Sequence, residues 1–172
     1  MKKLCAWLLF GFVASACLFQ SGCASYSVRS KVPAEARTIS VPVFENDSGF
    51  PELDAIVTQY VLREIQHEGT FKIARWDDAA YRLEGKLVSS HTTSLNYDRN
   101  YASRASEYRY TVAVRITLIE RSTGKLLIDN QLIKANTTFL TRGDMLTGLR
   151  DSYPRVAKEL SRRIVDTVLG QW

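Results

Sequence analysis

The stretch Glu107-Tyr108-Arg109-Tyr110-Thr111-Val112-Ala113-Val114-Arg115-Ile116-Thr117-Leu118 decides how this chain folds. Tyr108, Tyr110, Val112, Val114, Ile116 and Leu118 recur at period two, with Arg109, Thr111, Ala113, Arg115 and Thr117 between them. A strand turns successive side chains to opposite faces, whereas a helix repeats near 3.6, so this spacing specifies a strand with one covered and one wetter face. Antiparallel sheets accommodate that division, because one face packs on helices while the other meets water.

The same rhythm extends to both sides. Upstream, residues 81–93 read as a long strand in which Tyr81, Leu83, Gly85 and Leu87 alternate with Arg82, Glu84 and Lys86. Downstream, Ser122-Thr123-Gly124-Lys125 has turn chemistry, and residues 126–138 return as a hairpin partner. There Ile128, Asn130, Leu132 and Lys134 share one face and Leu127, Asp129 and Gln131 the other, with an alternation weak enough for burial to change along the strand. Residues 71–74 form a short strand. Residues 38–44 form the first, with Ile39, Val41 and Val43 on one face and Pro42 arguing for an edge position or a bulge.

Two segments change period. Over residues 51–68, Leu53, Ile56, Val57, Tyr60, Val61 and Ile65 fall at helical spacing, and Gly69 provides a stop. Over residues 146–169, Leu146, Leu149, Tyr153, Val156, Leu160, Ile164 and Val168 make one long amphipathic stripe, with Pro154 marking a late first turn or a kink. Each has a single apolar face, as a helix laid on a sheet requires.

The N-terminus follows a different logic. Lys2 and Lys3 precede an uncharged apolar run to Phe19, and Ser21-Gly22-Cys23 follows. A cationic start, an apolar middle and small residues at the cut make a secretory signal over residues 1–22. The sixteen-residue run falls short of the roughly 20 residues that cross a bilayer. A cysteine after small residues resembles the lipobox of bacterial lipoproteins, which makes Cys23 the lipid attachment site. Gln20 stands where such signals usually carry leucine, and Ala14-Ser15-Ala16-Cys17 is an alternative box. Plain secretion would leave Cys23 an unpaired thiol in an oxidising compartment. Residues 23–36 then read as a lipidated tether and 37–172 as one domain, whose stability must come from packing, since Cys23 is its only cysteine after cleavage. The formal charge of +5 falls to +3 when Lys2 and Lys3 leave. For an exported chain that mild excess points to anionic lipid phosphates, not nucleic acid.

No converging catalytic set is present. His67 and His91 lack metal-like spacing and read as surface or half-buried structural residues. Asp77 and Asp78, adjacent in a turn after Trp76, suit capping or solvation better than paired acid–base work. With no nucleophile elbow, phosphate loop or dinucleotide fingerprint, neither catalysis nor a metal or cofactor is expected. The stretch from Ser94 to Arg109 interleaves Tyr97, Arg99, Tyr101, Arg104 and Tyr108, and reads either as a contact loop or as a hairpin tip kept soluble by its arginines. Arg155, Lys158 and Arg162, with Glu159 beside them, read as a solvated helix face.

In this order the segments resemble the LptE family of lipopolysaccharide-assembly lipoproteins. The carriers are Cys23 followed by Tyr26; Thr38-Ile39-Ser40-Val41-Pro42-Val43-Phe44-Glu45-Asn46; Ala80-Tyr81-Arg82-Leu83-Glu84-Gly85-Lys86-Leu87; and Glu107-Tyr108-Arg109-Tyr110-Thr111-Val112. The resemblance implies an α+β two-layer sandwich with two helices packed on one face of a four- or five-stranded mixed sheet. It implies an outer-membrane lipoprotein that plugs an LptD-like β-barrel, helps it form, and assists insertion of lipopolysaccharide. Family members are thought to touch lipopolysaccharide through basic residues near strand ends, and Arg99, Arg104, Arg109 and Lys134 are the candidates here by chemistry, as cations facing phosphates. The Val-Pro-Val-Phe-Glu-Asn start is also similar to domains of secretion-pore and TolB-like lipoproteins, which would make the chain a non-catalytic envelope scaffold.

Overall fold

The computed structural model describes residues 32–33, 36–97, 105–141 and 144–172. Along the chain run β1 (Thr38–Ser40), β2 (Glu45–Asn46), α1 (Leu53–Glu68), β3 (Lys72–Ile73), a 3-10 turn (Trp76–Asp78), β4 (Tyr81–Tyr97), β5 (Ala105–Glu120), β6 (Leu126–Leu140) and α2 (Met145–Leu169). The sheet order is β3-β1-β4-β5-β6, and β2 joins β4. β1 pairs in parallel with β3 and β4, and β2 with β4, whereas β4, β5 and β6 form an antiparallel meander. The result is an α+β fold with two helices on a mixed sheet.

The sheet has six strands, not four or five, and Pro42 is the reason. Proline has no backbone N–H to donate to a ladder, so the expected strand over 38–44 divides into β1 and β2. β1 lies between β3 and β4, so it is not an edge. The division also shifts the buried phase. Ile39 and Phe44 are buried, Val41 is half-buried, and Val43 is 66% exposed. Ile39, Val41 and Val43 therefore do not share a covered face. Side chains replace the lost ladder: the Phe44 amide donates to Thr58 Oγ1 at 3.0 Å, and that hydroxyl donates to the Asp54 carbonyl at 2.7 Å. The Phe44 ring then lies over Gly85, in the space a β-carbon would fill.

The covered face follows the alternation of β5, with Tyr110, Val112, Val114, Ile116 and Leu118 wholly buried. From α1 it receives Leu53, Val57, Val61 and Ile65, one per turn, and from α2 Leu149, Tyr153, Val156, Leu160, Ile164 and Val168. Each such side chain contributes about 1.5–3 kcal/mol by leaving water. α1 ends at Gly69 with φ 82°, a left-handed conformation that glycine adopts without strain. α2 runs unbroken through Pro154, which lies on its exposed side, where solvent can take the place of the missing backbone bond. Val32, in the stretch read as tether, is buried, and its carbonyl accepts from Arg37 Nε at 3.1 Å.

Bulges correct the faces of β6. Ile116 pairs with Gln131 but Leu118 with Ile128, so β6 carries one extra residue there, and Asn130 takes φ 50°. Ile128 is therefore buried together with Ile133, Ala135 and Phe139, while Leu132 and Lys134 turn outward. In β4 the step from Leu87 to Ser89 passes a similar irregularity against Val114 and Ala113. The outer edge of β6 is closed by α2: Arg155 Nη2 donates to the Thr138 carbonyl at 3.4 Å and Arg163 Nη1 to the Lys134 carbonyl at 2.9 Å. Eight residues of helix rise about 12 Å and four of strand about 13 Å, so the two arginines match two outward carbonyls. Guarding of this kind keeps an edge from pairing with another chain.

The Gly85 contact gives a direct test of this packing. Gly85→Ala forces its methyl group into the Phe44 ring and should destabilise the domain by about 1–3 kcal/mol, read as a fall of several degrees in Tm by thermal denaturation; an unchanged Tm would show that Phe44 does not pack there.

Candidate functional site

The face of the sheet opposite the helices carries the alternate residues of β4, β5 and β6. Register puts Ser89, His91 and Thr93 of β4 beside Ala113, Thr111 and Arg109 of β5, and these beside Lys134, Asn136 and Thr138 of β6. Strand sequence fixes this arrangement once the two bulges are in place, since paired residues point to the same face. Arg109 and Lys134 thus stand on one face of adjacent strands, four residue pairs apart, both exposed. Cys17, Cys23, Arg99, Tyr101 and Arg104 lie outside the described residues.

The contact loop expected from Ser94 to Arg109 is largely strand. β4 continues to Tyr97 and β5 begins at Ala105, because the hairpin ladder persists through two further irregularities. Tyr108 faces the core side and stacks on Phe139 with centroids 5.5 Å apart and planes at 15°, so it packs the tip instead of presenting a contact. Leu140 stands on the open face beyond Thr138, 61% exposed.

Arg115 joins this set, although sequence reasoning does not single it out. It pairs directly with Lys86 on one side and with Leu132 on the other, which makes it a diagonal neighbour of Lys134. Like charges directly opposite one another destabilise a sheet. For Lys86 the cost is met by Asp47 at 2.8 Å and Glu45 at 3.2 Å, whose hydrogen bonds raise its pKa. Arg115 donates to the Asn130 carbonyl at 3.3 Å. Among the described residues Arg109, Arg115 and Lys134 have no carboxylate partner. By contrast, Arg82 pairs with Glu84 at 2.8 Å and lies over Trp76, and Arg75 reaches Asp78 at 3.4 Å. The signal for Arg115 is its pairing with Lys86 and its nearness to Lys134, which requires the register.

His67 is exposed near the end of α1 and His91 is exposed on the open face. Among the described residues no group of three or more His, Cys, Asp and Glu side chains is placed to hold a metal ion, and no helix is long and apolar enough to cross a membrane. What the arrangement can do chemically is bind: free cations attract phosphate or carboxylate, and flanking hydroxyls and amides offer hydrogen bonds.

A family model described as lipopolysaccharide-assembly, LptE, matches residues 36–169. The chain belongs to the LptE family. The match spans the helices and all six strands. A hypothetical protein of Chlamydia trachomatis superposes with a TM-score of 0.57 at 11% identity, covering 78% of this chain and 96% of that one. A protein of Xanthomonas campestris does so with a TM-score of 0.55 at 14% identity, covering 81% and 90%. Rare lipoprotein B of Shewanella oneidensis aligns at 15% identity over 77% and 94%, with a TM-score of 0.49. At such identities the Chlamydia and Xanthomonas structures show a shared fold alone. A sequence search of curated proteins finds no match.

The tip of this face adjoins the start of α2, which Asp144 caps by accepting from the Leu146 amide at 3.1 Å, the Thr147 amide at 3.0 Å and the Thr147 hydroxyl at 2.7 Å. The Thr147 hydroxyl bond foremost, then the two amides, hold the Asp144 carboxyl below the ordinary aspartate range. Because the folded pKa is depressed, its contribution is present above the ordinary aspartate pKa and is lost as pH falls through the folded value. Hydrogen exchange at the Leu146 and Thr147 amides should therefore be protected at neutral pH and lose protection in Asp144→Ala, with β5 amides unchanged; equal protection in both proteins would remove the cap.

Proposed function

We propose that this LptE-family chain is an outer-membrane lipoprotein, anchored through acylated Cys23, that sits as plug and assembly partner within an LptD-like β-barrel and assists delivery of lipopolysaccharide to the outer leaflet. The observation that carries this reading is the family match over residues 36–169. The N-terminal sequence supports the anchor: residues 1–22 have signal-peptide form, and Ala24, rather than Asp, follows the cysteine, as in lipoproteins released to the outer membrane. More than one acyl chain, each worth about 0.8 kcal/mol per buried CH₂, gives stable attachment. Arg109 and Lys134 on the open face, with Arg99 and Arg104, are the cations offered to lipid phosphates.

Mild detergent extraction of the full-length tagged protein tests this. It should co-purify with one outer-membrane barrel, and intact mass should give a mature chain beginning at lipid-modified Cys23. Recovery without a barrel, or as a ring-shaped homo-oligomer, would contradict the plug; a mature start at Cys17 would move the anchor.

A further inference from the structure

A groove separates the end of β6 from the first turns of α2, away from the cationic sheet face. It encloses about 490 Å³ and is lined by Phe139 and Leu140 of β6, Gly148, Asp151 and Arg155 of α2, and Glu107 of β5. That volume falls within the range of about 300–1,000 Å³ that bound ligands occupy. A β-carbon on Gly148 would come within 2.9 Å of the Phe139 ring, so the helix crosses β6 closely and no side chain fills the space. Leu140 is 61% exposed, and Met145, one turn before Gly148, is 38% exposed. Large apolar side chains gathered in water at one place mark a contact surface. The chain enters the domain at the other end of the sheet, where Ala36 lies beside Tyr81 and Glu120. Glu107 and Glu120 are thirteen residues apart on β5, about 43 Å at 3.3 Å per residue.

The rim of this groove is acidic. Glu107 is half-buried, Asp151 is exposed, and among the described residues neither has a cationic partner. Arg155, four residues on from Asp151, gives its guanidinium to the Thr138 carbonyl at 3.4 Å instead. Glu107 accepts from the uncharged Asn96 amide. These carboxylates repel phosphate, so the groove and the cationic sheet face suit ligands of opposite charge, and an anionic bilayer surface is disfavoured here. In a two-fold contact a second copy of the chain would set the same acids against one another. Charge complementarity therefore favours a partner that is both basic and apolar.

We infer that the groove between β6 and α2 docks a protein segment presenting a lysine or arginine beside an aliphatic side chain. The aliphatic group packs on Leu140 and Met145, and the cation meets Glu107 and Asp151 through charge-assisted hydrogen bonds. Long basic side chains suit the site because their apolar stems lie along leucine and methionine while the charged head stays at the carboxylates.

Fluorescence anisotropy tests this with the full-length lipoprotein in mild detergent and a labelled peptide carrying a lysine–leucine–arginine core, beside a counterpart with glutamate at both basic positions. The chain carries a formal charge of +5, so a basic peptide gains attraction only where carboxylates gather locally. The basic peptide should bind and the acidic one should not. Asp151→Asn with Glu107→Gln should weaken binding about tenfold, the value of one charge-assisted hydrogen bond, and added salt should act in the same direction. Leu140→Ser should also weaken it, whereas Arg109→Gln on the sheet face should leave it unchanged. Far-UV circular dichroism confirms that each variant is folded. Equal binding of both peptides, binding of neither, or unchanged affinity in the groove variants would overturn the assignment. If Leu140→Ser left the peptide bound but abolished self-association, or binding to phosphatidylglycerol vesicles, the groove would belong to a second copy or to a bilayer, and the assignment would fall.

Discussion

β5 must satisfy two different surroundings at once, and the rest of the structure follows from that. Its even-numbered residues from Tyr110 to Leu118 are wholly buried beneath the helices. Its odd-numbered residues carry Arg109, Thr111, Arg115 and Thr117 on a face that no helix covers. A strand cannot exchange these roles without a register slip that would bury every arginine and expose every aliphatic group. The neighbouring strands meet the same constraint with bulges. One near Val88 and one near Asn130 reset the phase so that polar residues of β4 and β6 join the open face.

Much of this was legible from sequence because periodicity is a local property. The alternation of residues 108–118 and the helical stripes through Leu53, Val57, Val61 and Ile65 and through Val156, Leu160 and Ile164 each identify an element within one window. The features that were not legible depend on partners distant in sequence. Nothing around Pro42 reveals that Thr58 will receive the Phe44 amide, or that Gly85 will admit the ring. Nothing around Asn130 announces a bulge, since Ile128, Leu132 and Lys134 look like one regular face until β5 sets their register. Tyr108 looked like a contact because a tyrosine among arginines does so in one dimension; stacking on Phe139 decides otherwise.

The candidate site shows the same division. Arg109 and Lys134 were recognisable by charge, but that they share a face, and that Arg115 stands beside Lys134, follows only from strand pairing. The fold also treats its two kinds of surface differently. The outer edge of β6 is closed by Arg155 and Arg163 acting on backbone carbonyls, so those arginines are structural. Arg109, Arg115 and Lys134 keep their charges off carboxylates among the described residues, at an electrostatic cost that an anionic ligand would offset. The proposed function thus puts the ligand on the sheet side, with the helices as the stabilising layer.

On the proposed function, the helix-free face of the sheet is the surface that meets lipopolysaccharide. Photo-crosslinking in living cells tests it most directly, with a photoreactive residue introduced at Asn136 on the open face or at Gln59 on the exposed side of α1. The account predicts a lipopolysaccharide adduct from position 136 and none from position 59. Crosslinking from position 59 with none from position 136 would contradict it.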